Sequence, residues 1–345
     1  MAAIEQDDLE LIINAKPSVW EKLDGKRIFI TGSTGFFGIW LLSAFRYAFH
    51  KRKFTGTVTA LSRNPSAFLE RHPDFSELPF LNFHKGDVNR EEFPEQKFDF
   101  VIHAATEASV KMNLEQPLEM FEIAADGTKK VLDYAVRSGV KRFLLTSSGA
   151  VYGKQPNNVT HLPESYSGAP DVLLENAAYA EGKRVAEMLC NFYRRSLGIE
   201  TVIARCYAFS GPYLPIDTHF AFGNFVRDYL RGGPIKVGGD GSPFRSYLYA
   251  ADLVIWLLTC LTEGRAGEAY NVGSDDSIDI SSLASLIAGS DQMVPLPVVI
   301  ARPKTEGVPA ERYVPSVEKA KRELDLAVFT SLEKSVKKMI RFYAN

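Results

Sequence analysis

The sequence predicts an α/β fold, a doubly wound parallel sheet joined to a smaller mixed α/β lobe. Three observations predict it. Short apolar, β-branched runs alternate with longer helical stretches across residues 27–204, the rhythm of parallel strands linked by right-handed helical crossovers. The first run passes straight into a glycine-rich turn and an apolar helix. After Arg205 the rhythm breaks, and residues 207–245 become rich in Gly, Pro and aromatics.

Taken in order, residues 1–25 predict an N-terminal extension with a helix near 8–14. Residues 27–30 predict the first strand, because so short an apolar run suits burial on both faces of a sheet. A helix over 37–49 follows, then strands at 57–61, 81–84 and 98–103. A helix over 117–138, a strand at 142–146, a helix over 177–196 and a strand at 201–204 complete the alternation. Helices at 220–231 and about 252–263 flank a glycine loop at 238–241. The expected division is an extension (1–25), a sheet lobe (26–206 plus about 246–275) and a smaller lobe (207–245 plus about 276–345).

Composition narrows the function. With 46% hydrophobic residues in 345, a large core forms without disulfides. The balance of 40 basic and 42 acidic residues, a net charge of -2, argues against a dedicated nucleic-acid binder. Cys190, Cys206 and Cys260 lie far apart in apolar runs with no zinc-type spacing, so they read as small buried hydrophobes and no metal is expected. The first residues lack a basic n-region and an apolar h-region, and no apolar stretch approaches the ~20 residues of a membrane span. No membrane association and a reducing cytoplasm are the expectation.

The turn after the first strand reads Thr31-Gly32-Ser33-Thr34-Gly35-Phe36-Phe37-Gly38. Glycine at 32 permits a tight turn, at 35 a close approach of backbone to a pyrophosphate, and at 38 close helix–sheet packing. The helix N-terminus then offers amides and a positive dipole end to phosphates. This places a dinucleotide on the loop and makes the sheet Rossmann-type, with the smaller lobe left for substrate. A carboxylate at the end of the second strand would favour NAD. That strand instead ends Leu61-Ser62-Arg63-Asn64. Arg63 is able to pair with a 2′-phosphate, which inclines the choice to NADP over NAD; a solvated loop charge is the alternative. Asp87 and Val88 follow the third strand and are placed either to contact adenine or, for Asp87, to cap the loop.

Tyr179 and Lys183 stand four apart on a helix and share one face. Ser147 and Ser148 lie just beyond the strand at 142–146, at the carboxyl edge where open α/β sheets bind ligands. A free tyrosine titrates near ~10. A neighbouring Lys183 ammonium and an oxidised nicotinamide both favour the phenolate, so Tyr179 is placed to take a proton from a hydroxyl whose carbon loses hydride. Ser148 would hydrogen-bond that oxygen.

These residues together resemble the extended short-chain dehydrogenase/reductase family, in its nucleotide-sugar epimerase/dehydratase branch, over about residues 26–325. The motifs are TGSTGFFG at 31–38, HAAT at 103–106, TSSGAVYG at 146–153, YAEGK at 179–183 and RSYLYAAD at 245–252. The resemblance implies a catalytic set of Ser148, Tyr179 and Lys183, and a phosphate loop at Gly32, Gly35 and Gly38. It implies a cofactor wall at Ala104 and Ala105, and a substrate diphosphate held by Arg245 and Arg312, two guanidinium groups suited to bidentate bonds. It also implies a nucleotide-diphosphate sugar as substrate and a homodimer formed through the helices around 111–137 and 177–196. Phe209, Tyr213, His219, Phe220 and Asn224 are candidates to read the sugar.

Three departures bear on the reaction. Dehydratases of the family carry an acidic pair where Gly149 and Ala150 stand, so 4,6-dehydration loses its usual acid and base. Asp126 and Ala208 stand where asparagine is frequent, at a water relay to the lysine and at a substrate contact. The expected activity is NAD(P)-dependent hydride transfer at a sugar carbon through a keto-sugar, of epimerase type. The alternatives are an NADPH-dependent keto-sugar reductase, a reductase of non-nucleotide ketones, and a dinucleotide-binding module without turnover.

Overall fold

A computed structural model describes residues 3–90, 92–105, 110–218, 220–290 and 294–344. Seven strands form the main sheet: β1 (Arg27–Thr31), β2 (Thr57–Ser62), β3 (Leu81–Lys85), β4 (Phe100–His103), β5 (Arg142–Ser148), β6 (Glu200–Cys206) and β7 (Ala269–Val272). Their order is β7-β6-β5-β4-β1-β2-β3 and every neighbouring pair is parallel. The chain runs outward from β1 in one direction and from β4 in the other. A crevice therefore opens between the carboxyl ends of β1 and β4, where ligands settle in such sheets.

Two cores flank the sheet. On one face, α3 (Phe36–His50) and α6 (Ala250–Glu263) bury Trp40, Phe45, Leu253 and Trp256 against Ile28, Ile30, Ile102 and Leu144. On the other, α4 (Pro117–Arg137) and α5 (Ala177–Leu197) bury Val131, Leu132, Ala186 and Cys190 against Phe29, Val101, Phe143 and Leu145. Alternate residues of β1 and β5 thus serve opposite cores, as the pleat requires. The smaller lobe has its own core, including Phe222, Phe225, Leu283, Ile287, Val336 and Met339. All three cysteines are buried.

The N-terminal segment is more than the one helix its sequence predicts. It forms α1 (Gln6–Ala15) and α2 (Pro17–Leu23), with Pro17 starting the second helix where a missing N–H costs nothing. Leu9, Ile12, Val19 and Trp20 enter the first core, and Trp20 meets Phe45 edge-on with ring centroids 5.6 Å apart. The tail divides between cores: Val317, Ala320 and Leu324 join the main sheet's, while α7 (Leu332–Ala344) packs in the smaller lobe. Strand β7 has no counterpart among the sequence expectations. Its Asn271 lowers strand propensity, yet in the fold the buried Asn271 amide donates to the carbonyls of Leu162 and Ser316 and accepts from the Tyr152 hydroxyl.

Candidate active site

The glycine turn sits at the crevice. Gly32 has φ +70, and a Cβ there would lie 2.3 Å from the Ala104 carbonyl oxygen, so both the turn and the approach of β4 demand glycine. A Cβ on Gly38 would lie 2.2 Å from Ser33 backbone atoms, because the first turn of α3 rests on the loop itself. Gly35 differs. It is exposed, and a Cβ there would meet only the Gly32 oxygen, at 3.5 Å. Gly35 is the N-cap of α3 and no side chain caps the helix, so the first amides face an open cradle. A phosphate of a dinucleotide fits this cradle. Gly38→Ala is expected to destabilise the fold by about 1–3 kcal/mol and to weaken NAD(P)H binding; melting curves with and without cofactor check both.

The other cofactor candidates are placed variously. Thr34 is partly buried in the turn. Phe36 packs against the cores of both lobes, and Phe37 meets Phe209 edge-on at 5.1 Å. Phe36 thus joins the lobes, while Phe37 stays with the first core. Ala104 donates its amide to the Thr31 carbonyl and forms the wall over Gly32, with Ala105 against the second core. Arg63 is exposed, and no hydrogen bond or ion pair holds it among the described residues. For Asp87 the structure builds the cap: its carboxylate accepts the Asn89 amide at 2.9 Å. Val88 is buried in the second core.

The catalytic candidates meet at the same edge. Ser148 ends β5. Its Oγ accepts the Ala150 amide at 3.1 Å and stands near the Tyr179 phenol. Asn113 holds Tyr179 from behind, accepting its amide at 2.9 Å. Lys183 is buried, and its Nζ donates to the Thr146 carbonyl at 2.6 Å. Burial pushes Tyr179 up to about 12, with the nearby Ser148 hydroxyl acting against it, and pushes Lys183 down to about 8. This corrects the expectation that Lys183 lowers Tyr179. The ammonium is spent on a carbonyl, and desolvation of the phenolate dominates. His103 beneath the site is neutral, pushed to about 3 by burial. Thr128 gives its proton to the Ala124 carbonyl, so His103 donates to Thr128 through Nε2 and accepts from Thr31 through Nδ1.

Ser147 is not brought to this cluster. Successive strand residues face opposite ways, and its Oγ donates to Glu187 on α5 at 2.5 Å. Arg245 and Arg312 lie on adjacent parallel strands, Phe244–Ser246 and Arg312–Tyr313, with Arg245 opposite Tyr313 and Arg312 opposite Phe244. This register sets the two guanidinium groups on opposite faces. Arg245 shares the face of Tyr313, while Arg312 stacks 4.2 Å over the Phe244 ring. Asn224 on the helix Ala221–Leu230 accepts from Arg227 at 3.0 Å. Phe209 is core, and Tyr213 packs between His72 and Phe342. Phe220 is the N-cap of the Asn224 helix, Asp126 is exposed on α4 and Ala208 is partly buried. His219, and Thr106 of the HAAT motif, lie outside the described residues.

Two tyrosines missed in the sequence stand beside the cluster. The Tyr313 hydroxyl is 3.5 Å from Ser148 Oγ, and the Tyr207 ring lies 4.6 Å from that of Tyr313. Only the position of Tyr207 just after β6 could have drawn notice. A separate cavity of about 680 Å³, lined by Glu164, Arg184, Glu187 and Arg205 among others, contains none of Ser148, Tyr179 and Lys183. Among the described residues no cluster of His, Cys, Asp and Glu could hold a metal, and no helix is long and apolar enough to cross a membrane.

Comparison with known proteins follows this geometry. A family model described as "NAD dependent epimerase/dehydratase family" matches residues 28–273. UDP-glucuronic acid decarboxylase 1 of Arabidopsis thaliana is 32% identical over 247 residues, 72% of this chain and 55% of the relative. The chain spans about half the length of this and two further Arabidopsis UDP-glucuronic acid decarboxylases that it matches. An epimerase from Methanothermobacter thermautotrophicus superposes with a TM-score of 0.78 at 25% identity, over 96% of each chain. A dTDP-glucose 4,6-dehydratase from Streptomyces venezuelae, solved with NAD bound, gives 0.77 at 25% identity, over 92% of this chain and 96% of that one.

Proposed function

The chain belongs to the NAD dependent epimerase/dehydratase family, and from that membership we propose that it inverts a carbon of a nucleotide-diphosphate sugar through a keto-sugar. The observation that carries this reading is the meeting of buried Ser148 and Lys183 with partly buried Tyr179 beside the open glycine cradle, followed by Gly149 and Ala150. Those two residues bring no ionisable group to protonate a leaving hydroxyl, which weighs against elimination.

Gly32, Gly35 and the first amides of α3 would hold the cofactor phosphates, with Ala104 and Ala105 as the wall beside its ring. A bound nicotinamide supplies the hydride acceptor. Ser148 Oγ fixes the substrate oxygen. The positive ring of an oxidised nicotinamide would favour the Tyr179 phenolate, whose Oη would then receive that oxygen's proton and return it when the keto group is reduced. Lys183 holds a positive charge behind the phenol. Arg245 reaches the substrate from the smaller lobe. A second copy of the chain would cover the exposed Leu118, Met188 and Phe192 on α4 and α5.

Two further reactions use the same cluster. Similarity to UDP-glucuronic acid decarboxylases favours one: oxidation beside a carboxylated carbon gives a β-keto acid, which loses carbon dioxide without an added acid. The unpartnered Arg63 favours the other, net reduction of a keto-sugar by NADPH.

The test is to release bound nucleotide by denaturation, identify it by mass, and supply UDP-glucose, UDP-glucuronic acid and dTDP-glucose. Conversion with no net change in reduced-nicotinamide absorbance supports epimerisation, and release of carbon dioxide supports decarboxylation. Stoichiometric loss of NADPH on a keto-sugar supports reduction. In that case Arg63→Glu should weaken NADPH and spare NADH, by about the 1.5–3 kcal/mol of a charged hydrogen bond. A protein that converts none of these sugars and consumes no NADPH on a keto-sugar would sink all three readings.

A further inference from the structure

We propose that the Tyr207 hydroxyl contacts the sugar of the bound nucleotide sugar, donating a hydrogen bond to a ring hydroxyl or to the keto oxygen. This rests on the nucleotide-sugar reading above and assigns a residue that the reading leaves out.

Tyr207 follows Cys206, the last residue of β6, which pairs with Ser148 in the ladder. Its amide donates to the Val272 carbonyl at 3.0 Å, so the residue is fixed at the carboxyl edge. One side of its ring faces Tyr313, with centroids 4.6 Å apart, and the Tyr313 hydroxyl approaches Ser148. Gly149 lies on another side. A Cβ there would sit 2.6 Å from Tyr207 Cζ and 2.8 Å from both Cε atoms. The phenol end therefore fills the space of a side chain at 149, immediately after the candidate catalytic serine.

The hydroxyl itself has no use in the protein interior. Tyr207 is 8% exposed, and its Oη finds no hydrogen-bond partner among the described residues. The polar groups behind it are already matched. Arg205 donates to the Tyr152 hydroxyl, that hydroxyl donates to Asn271 Oδ1, and Glu164 accepts the Asn271 backbone N–H. Phenylalanine would keep every ring contact without burying an unpaired oxygen, and buried polar groups as a rule find partners. A partner supplied by a ligand meets that rule. Burial holds the phenol well above its ordinary value, so it presents a proton to donate, and sugar hydroxyls and a keto oxygen both accept one.

The test uses the full chain carrying its cofactor, with Tyr207→Phe compared against the parent. Calorimetric titration measures UDP-glucose, UDP-glucuronic acid and dTDP-glucose, and UDP and dTDP alone. Tyr207→Phe is expected to melt no lower than the parent. It should bind the intact nucleotide sugar about tenfold more weakly, the scale of one hydrogen bond, and bind the free nucleotide unchanged. Parent-like binding of the sugar nucleotide overturns the proposal alone, as does an equal loss for nucleotide and sugar nucleotide. A parent that binds none of the three sugars overturns the functional reading and the proposal with it.

Discussion

Tyr179→Phe is expected to fold like the parent and to lose turnover by about 10²–10⁴, the usual worth of a positioned acid–base group. The substitution removes one oxygen and leaves the ring in place. Asn113 still accepts the residue-179 amide, and Lys183 still donates to the Thr146 carbonyl. What disappears is the hydroxyl near Ser148, the group of the cluster placed to take and return the proton. The pH profile should carry a second signature. Lys183 is held at about 8 by burial, below its ordinary 10.5. As pH rises through 8 the folded protein gives up this proton before the unfolded chain would. The cost of burying the ammonium is therefore full below pH 8 and absent above 10.5, so this lysine's contribution to stability rises across the window. Activity that needs the ammonium falls over the same range. Initial rates from pH 6 to 10, with melting of Lys183→Met against the parent, check both signs. A Tyr179→Phe enzyme within a few-fold of the parent would remove the tyrosine from the chemistry.

The parts of this molecule legible in the sequence are those written in local pattern. Strands β1 to β6 are short and, apart from the more polar β3, largely apolar, and each stands within about two residues of its expected place. The glycine turn was legible because Gly32 and Gly38 answer to contacts within one strand–turn–helix unit. Tyr179 and Lys183 were legible as an i, i+4 pair on one helix. What stayed hidden depends on distant chain. Strand β7 carries an asparagine whose partners are Leu162 and Ser316. Tyr207 and Tyr313 are 106 positions apart in sequence and meet only when two lobes close on Ser148. The opposite facing of Arg245 and Arg312 follows from a ladder register that spacing cannot reveal. The phenolate-favouring effect expected of Lys183 on Tyr179 was not legible for a related reason: the carbonyl that takes the ammonium belongs to a strand 37 residues away.

Arg205→Ala should cost about 3–5 kcal/mol, the scale of a buried ion pair broken on one side and a large share of a domain's usual stability. The Arg205 and Glu187 side chains are 17% and 11% exposed. The guanidinium donates to Glu187 at 3.0 Å and 2.6 Å, donates to the Tyr152 hydroxyl at 2.8 Å, and stacks 4.6 Å over that ring. Ser147 adds the one further bond to the carboxylate. Removing the guanidinium strands a buried carboxylate with a single hydroxyl for a partner. Glu187 lies one turn beyond Lys183 on α5, while Arg205 and Ser147 lie on β6 and β5. The pair therefore fixes the helix that carries Tyr179 and Lys183 to the strands that carry Ser148. Stability and alignment can be separated. In Arg205→Met with Glu187→Leu, two apolar side chains of similar reach replace the charges, and most of the lost stability should return. Alignment should not return, because flexible apolar contacts do not set the helix register as a bidentate pair does. The expected result is a double variant that unfolds in urea near the parent midpoint and still turns over slowly. If it recovers both stability and rate, the ion pair contributes packing alone, and the position of the catalytic helix is set by the cores on either side of it.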